Sequence, residues 1–169
     1  MTAIETPRLR LRRLSPADEA DLVALDSDPE VMRYVGSPPG VKPPAETRER
    51  VRQRIGTDHG PLGFWRIEAR GDGAFLGLGA LILMPAGDDV ELAYRLTRAA
   101  WGRGIAAEAG AVLVDYAFGT VGLPRLVAVT YPDNRASQRV LDKLGFARGG
   151  LVEYRGVHVV HYALAAPGR

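Results

Sequence analysis

Cysteine is absent from the 169 residues, which excludes disulfide frameworks, thiol nucleophiles and cysteine-ligated metals together. No apolar run approaches the ~18 residues of a membrane span, and the opening MTAIETPRLRLRR lacks the apolar core of a signal peptide. The expectation is a cytoplasmic protein with no membrane partner. Excess charge is scarce too: 22 Lys and Arg face 20 Asp and Glu, a formal net charge of +2. Without a clustered basic stripe, that balance carries no nucleic-acid argument, and no nucleic-acid partner is expected. His158 and His161 stand an odd number of residues apart in a strand-like stretch, so they face opposite ways, and no metal site is expected there. No GxSxG elbow occurs either.

What is present is an ordinary globular composition, 46% hydrophobic and 25% charged, at a length that suits one domain, 1–169, with a sizeable core. PRLRLRRL alternates apolar and basic residues and reads as a half-exposed strand with Leu9 and Leu11 inward. In SPADEADLVALDSDP, Ser15 is an N-cap and Pro16 the first helical position, with Ala20, Leu22, Val23 and Leu25 as candidate buried residues. GSPPGVKPPA reads as a surface loop, and ETRERVRQRI as a short arginine-rich helix with a solvated face. GFWRIEA and AFLGLGALIL are strands joined by the turn RGDG, and DVELAYRL is a third, with Asp88 and Asp89 in the turn before it. IAAEAGAVLVDYAFGTV predicts a helix ending near Gly122 and Pro124, and RLVAVTY a buried strand. NRASQRVLDKLGF predicts a helix from the cap Asn134 to Gly145. ARGGLVEY and VHVVHYAL close the chain as a hairpin turned at Arg155-Gly156. The order implies an α/β or α+β fold, a mainly antiparallel meander feeding one helix crossover.

The sharpest local feature is WGRGIAAEAG, two glycines running into a helix. The first turn of a helix carries unpartnered N–H groups and partial positive charge, and glycines let a bulky anion approach them. A plain strand-to-helix loop meets the same pattern. Among anion sites, the P-loop GxxxxGK[ST] is missing. The dinucleotide pattern GxGxx[GA] matches at Gly102, Gly104 and Ala107, but the preceding strand ends too early, near Leu96, and the acid expected about 20 residues on falls in GLPR. An acyl-coenzyme A pyrophosphate is the third reading.

From ELAYRL through WGRGIAAEA to NRASQRVLDKLGF, the sequence resembles the GNAT acetyltransferases, and within them the ribosomal-protein alanine N-acetyltransferases. TPRLRLRRLSPAD and DPEVMRYV are similar to that branch too, so the likeness spans nearly the whole chain. The resemblance implies a mixed, mainly antiparallel sheet of about seven strands flanked by about four helices, splayed between the fourth and fifth strands. It also implies acetyl-CoA as acyl donor, without a metal. On the family pattern [QR]xxGx[GA], Gly104, Ile105 and Ala106 fill the last three places and Trp101 departs from Gln or Arg at the first. Because main-chain N–H groups make most of the cradle, that departure costs little. The likeness assigns Gly102, Arg103, Gly104, Ile105, Ala106 and Ala107 to the pyrophosphate, with Arg103 either adding a cation or remaining a solvated loop arginine. It assigns the main chain of Tyr94, Arg95 and Leu96 to the pantetheine arm and to an N–H that polarises the thioester carbonyl.

The implied reaction is direct attack of an amine on the thioester. An α-amine ordinarily loses its proton at about pH 8 and a lysine at about 10.4, a difference worth roughly 3 kcal/mol, so a carboxylate working through water suffices for the α-amine. By resemblance Glu91 is that base; by alternation alone it is an exposed strand residue between Val90 and Leu92. Ser137 resembles the position that protonates the thiolate, one turn beyond Asn134, which caps its helix and can also bond the coenzyme arm. Tyr131, then Tyr154, are the alternative donors. Lys143 and Arg139 neutralise coenzyme phosphates or are solvated helix charges. The expected acceptor is a primary amine of a small molecule, peptide or protein N-terminus, handled by a monomer or homodimer. A non-catalytic acyl-CoA sensor and, behind it, a dinucleotide-dependent oxidoreductase are the competing functions.

Overall fold

The computed structural model describes residues 3–168. One mixed sheet of eight strands runs in the order β1-β2-β3-β4-β5-β6-β8-β7. The strands are β1 Ile4–Glu5, β2 Leu9–Arg13, β3 Gly63–Ala69, β4 Phe75–Leu83, β5 Val90–Leu96, β6 Arg125–Thr130, β7 Ala147–Tyr154 and β8 Val157–Ala165. The eighth strand, beyond the seven expected, is the two-residue β1, which pairs Ile4 with Leu11 and is too short to leave a periodic signal. The helices are α1 Glu19–Asp26, α2 Pro44–Gly56, α3 Ile105–Asp115 and α4 Arg135–Lys143.

Strands β2 to β5 form the expected antiparallel meander. Strand β6 returns parallel to β5 after the α3 crossover, and a single registered pair, Glu91 with Val127, joins them. Asp89 anchors that seam at its start, accepting from Arg125 at 2.5 and 2.7 Å. Beyond it the two strands part.

Two cores form because each face of the sheet has its own helices. On one, Leu9, Leu11, Trp65, Ile67, Leu81 and Leu92 pack against Ile105, Ala109 and Leu113 of α3 and Leu141 of α4. On the other, Leu78 meets Leu22 and Leu25 of α1 and Val51 of α2. Alternation therefore reads correctly at Leu9 and Leu11, both fully buried. Ala20, expected inside, is exposed, while Val23 is half-buried. The tight turn Pro16–Asp18 that precedes α1 has three residues per turn, which rotates the apolar stripe relative to an α-helix begun at Pro16. Helix α2 starts at Pro44, inside the segment read as loop, because proline suits the first helical turn. The α3 helix widens into a π-helical turn, Tyr116–Val121, before stopping at Gly122 as expected.

Candidate active site

The glycine turn is shaped by its backbone. After a short turn at Arg98–Ala100, Gly102 and Gly104 adopt φ of 69° and 74°, left-handed values that cost an L side chain roughly 1–2 kcal/mol. Gly104 caps α3, so the first-turn amides that follow have no intrahelical acceptor. A clamp from β2's approach holds the turn: Arg8 donates to the Arg103 carbonyl at 2.8 Å and to Glu108 at 2.6 Å. Glu108 also accepts from the Thr6 hydroxyl at 2.5 Å. A Cβ on Gly104 would stand 3.4 Å from the Arg8 guanidinium.

A cavity of about 520 Å³ opens on this turn. Gly102, Gly104, Ile105, Ala106 and Ala107 form one wall, together with Trp101. The Trp101 indole N–H donates to the Leu96 carbonyl at 3.1 Å, which ties the turn to the end of β5. Tyr94, Arg95 and Leu96 form the floor, and Asn134, Ser137, Arg139 and Lys143 of the α4 region face them. Of the residues assigned to the coenzyme, Arg103 alone is absent from the lining; its side chain is exposed and its carbonyl serves the clamp.

A second cavity, of about 720 Å³, lies across the splay and holds Glu91. It shares Tyr94, Arg95, Asn134 and Ser137 with the first. The period of two along β5 explains the division. Glu91 and Arg95 point to the α1/α2 side, where Arg95 binds Asp26 at 2.7 and 2.9 Å. Tyr94 points to the other side, where its hydroxyl lies 3.2 Å from Ser137 Oγ. Glu91 and Ser137 therefore stand on opposite faces, and the gap between β5 and β6 is the passage between them.

Glu91 is 6% exposed, so alternation alone, which would have put it outside, does not describe it. Burial drives its carboxyl up to about 7, opposed by the Tyr154 hydroxyl, which donates to it at 3.1 Å, and by the charge of Arg155. Burial likewise raises the Tyr94 hydroxyl to about 12, against the hydrogen bond with Ser137. Asn134 does cap α4, accepting from the Ser137 amide at 3.2 Å. Tyr131 is engaged elsewhere, donating to the Gly36 carbonyl at 2.6 Å.

Two residues, Tyr94 and Tyr154, enter in roles the sequence reading did not give them, and two more, Asp26 and Thr130, escaped it. Tyr94 brings its hydroxyl as well as its main chain, which its odd spacing from Glu91 could have signalled. Tyr154 faces Glu91 from the last hairpin, and no local pattern announces that meeting. Asp26 is shared by Arg95 and by Arg54, which donates to it at 3.1 Å. Thr130, on the wall of the second cavity, has a buried hydroxyl with no partner among the described residues.

A mixed sheet parted at a parallel pair, with a glycine-turned helix beside the gap, defines a class of coenzyme-dependent acyl transferases, and comparison with known proteins agrees. The acetyltransferase (GNAT) domain matches residues 8–147, and the chain belongs to that family. Over 158 residues, 88% of this chain and 85% of the relative, it is 31% identical to the uncharacterized N-acetyltransferase YoaA of Bacillus subtilis. The crystal structure of an acetyltransferase from Agrobacterium tumefaciens superimposes with a TM-score of 0.84 at 28% identity, covering 97% of this chain and 94% of that one. RimL, a ribosomal L7/L12 alpha-N-protein acetyltransferase in complex with coenzyme A, shares the fold with a TM-score of 0.80 at 20% identity, over 97% and 98% of the two chains.

Proposed function

We propose that this acetyltransferase moves an acetyl group from acetyl-CoA to a primary amine by direct attack in a ternary complex. The observation that carries the reading is the junction of two cavities at Tyr94 and Ser137, with Glu91 buried on one side and the glycine turn open on the other. Acetyl-CoA supplies an activated thioester carbonyl and a thiolate leaving group. The α3 amides at Ile105, Ala106 and Ala107, with Lys143 and Arg139 nearby, suit its pyrophosphate.

Glu91, with its carboxyl near 7, takes a proton from the incoming ammonium directly or through one water. The amine nitrogen bonds the acetyl carbon as the C–S bond breaks, and main-chain N–H groups of β5 hold the developing oxyanion. Ser137 Oγ, hydrogen-bonded to the Tyr94 hydroxyl, gives its proton to the departing thiolate and regains one, through solvent, from the nitrogen, which sheds its second proton as the amide forms. Tyr154 keeps the Glu91 carboxylate aimed.

Titration with acetyl-CoA and with NADH, followed by thiol release against a panel of amines, tests this. Saturable acetyl-CoA binding and amine-dependent thiol release are expected. NADH binding without acetyl-CoA binding overturns the proposal, and acetyl-CoA binding without transfer to any amine favours a sensor.

A further inference from the structure

The second cavity carries more positive charge than the chemistry at Glu91 requires. Lys42, Arg50, Arg54, Arg95 and Arg155 line it, against the carboxylates Glu46 and Glu91. Internal pairing absorbs part of this. Arg50 has Glu46 at 2.8 Å, Arg95 grips Asp26 with two bonds, and Arg155 stacks on Tyr154 with 5.5 Å to the ring centroid.

Arg54 and Lys42 are differently placed. The Arg54 side chain is 15% exposed, leans over the Phe64 ring at 5.2 Å, and reaches Asp26 through Nη1 alone. Its other guanidinium donors meet no acceptor among the described residues. Lys42 Nζ donates to a neutral group, the Pro38 carbonyl, at 2.9 Å. Burial first, and then the neighbouring charge of Arg95, holds the Arg54 guanidinium below its ordinary value despite Asp26. Two guanidiniums thus share one carboxylate, the same cavity wall also carries an ammonium with no anionic partner among the described residues, and the wall is an anion short.

Resting on the amine-acetylation reading above, we propose that the acceptor is a small amine that also bears a carboxylate. Its carboxylate lies on Arg54, with the Lys42 ammonium adding positive charge to the same wall, and its amine at Glu91. Phe64 and Ile82, which line the same cavity, cover the apolar part between. The cavity volume of about 720 Å³ falls within the roughly 300–1,000 Å³ range of small-molecule sites, so a small amine of this kind fits it whole.

The test compares kcat/KM for amino acids, for their carboxamides, for ω-amino acids, and for the matching amines without the carboxylate, together with an alanine-initiated peptide. The carboxylated members are expected to be preferred by about tenfold or more, the worth of one charge-assisted hydrogen-bonded contact. In R54Q that preference ratio should fall about tenfold, with R54K, which keeps the charge on a shorter reach, falling between. K42Q supplies a second reading should R54Q fold poorly, since Lys42 is tied only to a loop carbonyl. Equal use of neutral and carboxylated amines, or preference for the peptide, overturns the carboxylate proposal and leaves the acetyltransferase reading intact. Absence of acetyl-CoA binding overturns both.

Discussion

In the proposed reaction Glu91 is the residue on which deprotonation of the amine turns. Its carboxyl rises from an ordinary 4.5 to about 7 because it is buried between β4 and β6 with one hydroxyl donor. As a base it is active only when ionised, so kcat/KM should climb through pH 7. E91Q should lower that rate by about 10²-fold or more and remove the limb; a variant that keeps the limb excludes Glu91 as base. The same shift has a cost in stability. The folded state holds the proton more tightly than the unfolded chain, so stability falls as pH rises from 4.5 through 7. The full penalty above that window is roughly 3 kcal/mol. E91Q escapes it, and its stability relative to the natural chain should therefore improve between about pH 4.5 and 8 in urea titrations. A difference that is flat with pH would show that burial does not set this carboxyl. Resemblance alone drew attention to Glu91 in the sequence, since alternation between Val90 and Leu92 argued for an outward residue.

At the scale of elements, the end of β5 decides where the two cavities meet, and β4 holds it in place. Gly77 pairs with Leu96, and a Cβ there would stand 2.3 Å from the Arg95 carbonyl oxygen and 2.9 Å from the Leu96 Cα. Main chain cannot yield as a side-chain tip can. G77A should therefore cost about 1–3 kcal/mol by overpacking, measured by denaturant unfolding, and should push Tyr94 to Leu96 toward the splay. The expected companion is a weaker acetyl-CoA affinity by isothermal titration; unaltered stability and affinity together would refute the role given to this contact. The elements themselves were largely legible. Asn134, Ser15 and Gly122 mark helix ends through capping and left-handed geometry, which depend on local chemistry alone. The start of α2 at Pro44 and the strand β1 were not, because a proline-rich run and a two-residue strand carry little periodicity.

For the whole molecule, the coenzyme as proposed above, bridging the glycine turn, β5 and α4, would bind only the folded arrangement. Acetyl-CoA at about a hundred times its Kd should add about 2.7 kcal/mol to unfolding free energy, seen as a rise in Tm. NADH should give none. The same experiment on G104V should show a smaller rise, since the left-handed φ of 74° and the Arg8 clamp leave little freedom for a branched side chain. An undiminished rise in that variant would separate the coenzyme from the turn.

The elements, the capped helices and the glycine turn were readable in the chain alone, because each depends on neighbours within a few positions. Likeness to the GNAT acetyltransferases pointed further, to the coenzyme and to Glu91 and Ser137. Folding in three dimensions was needed to bury Glu91 rather than solvate it, to bring Tyr94 against Ser137 and to set Tyr154 on Glu91. It also brought Arg54 and Lys42 to the wall of the cavity that holds Glu91. Those outcomes follow from the splay of β5 from β6 and the packing of α1 and α2 on one face and α4 on the other. They join residues as far apart as Glu91 and Tyr154, between which no local rule operates.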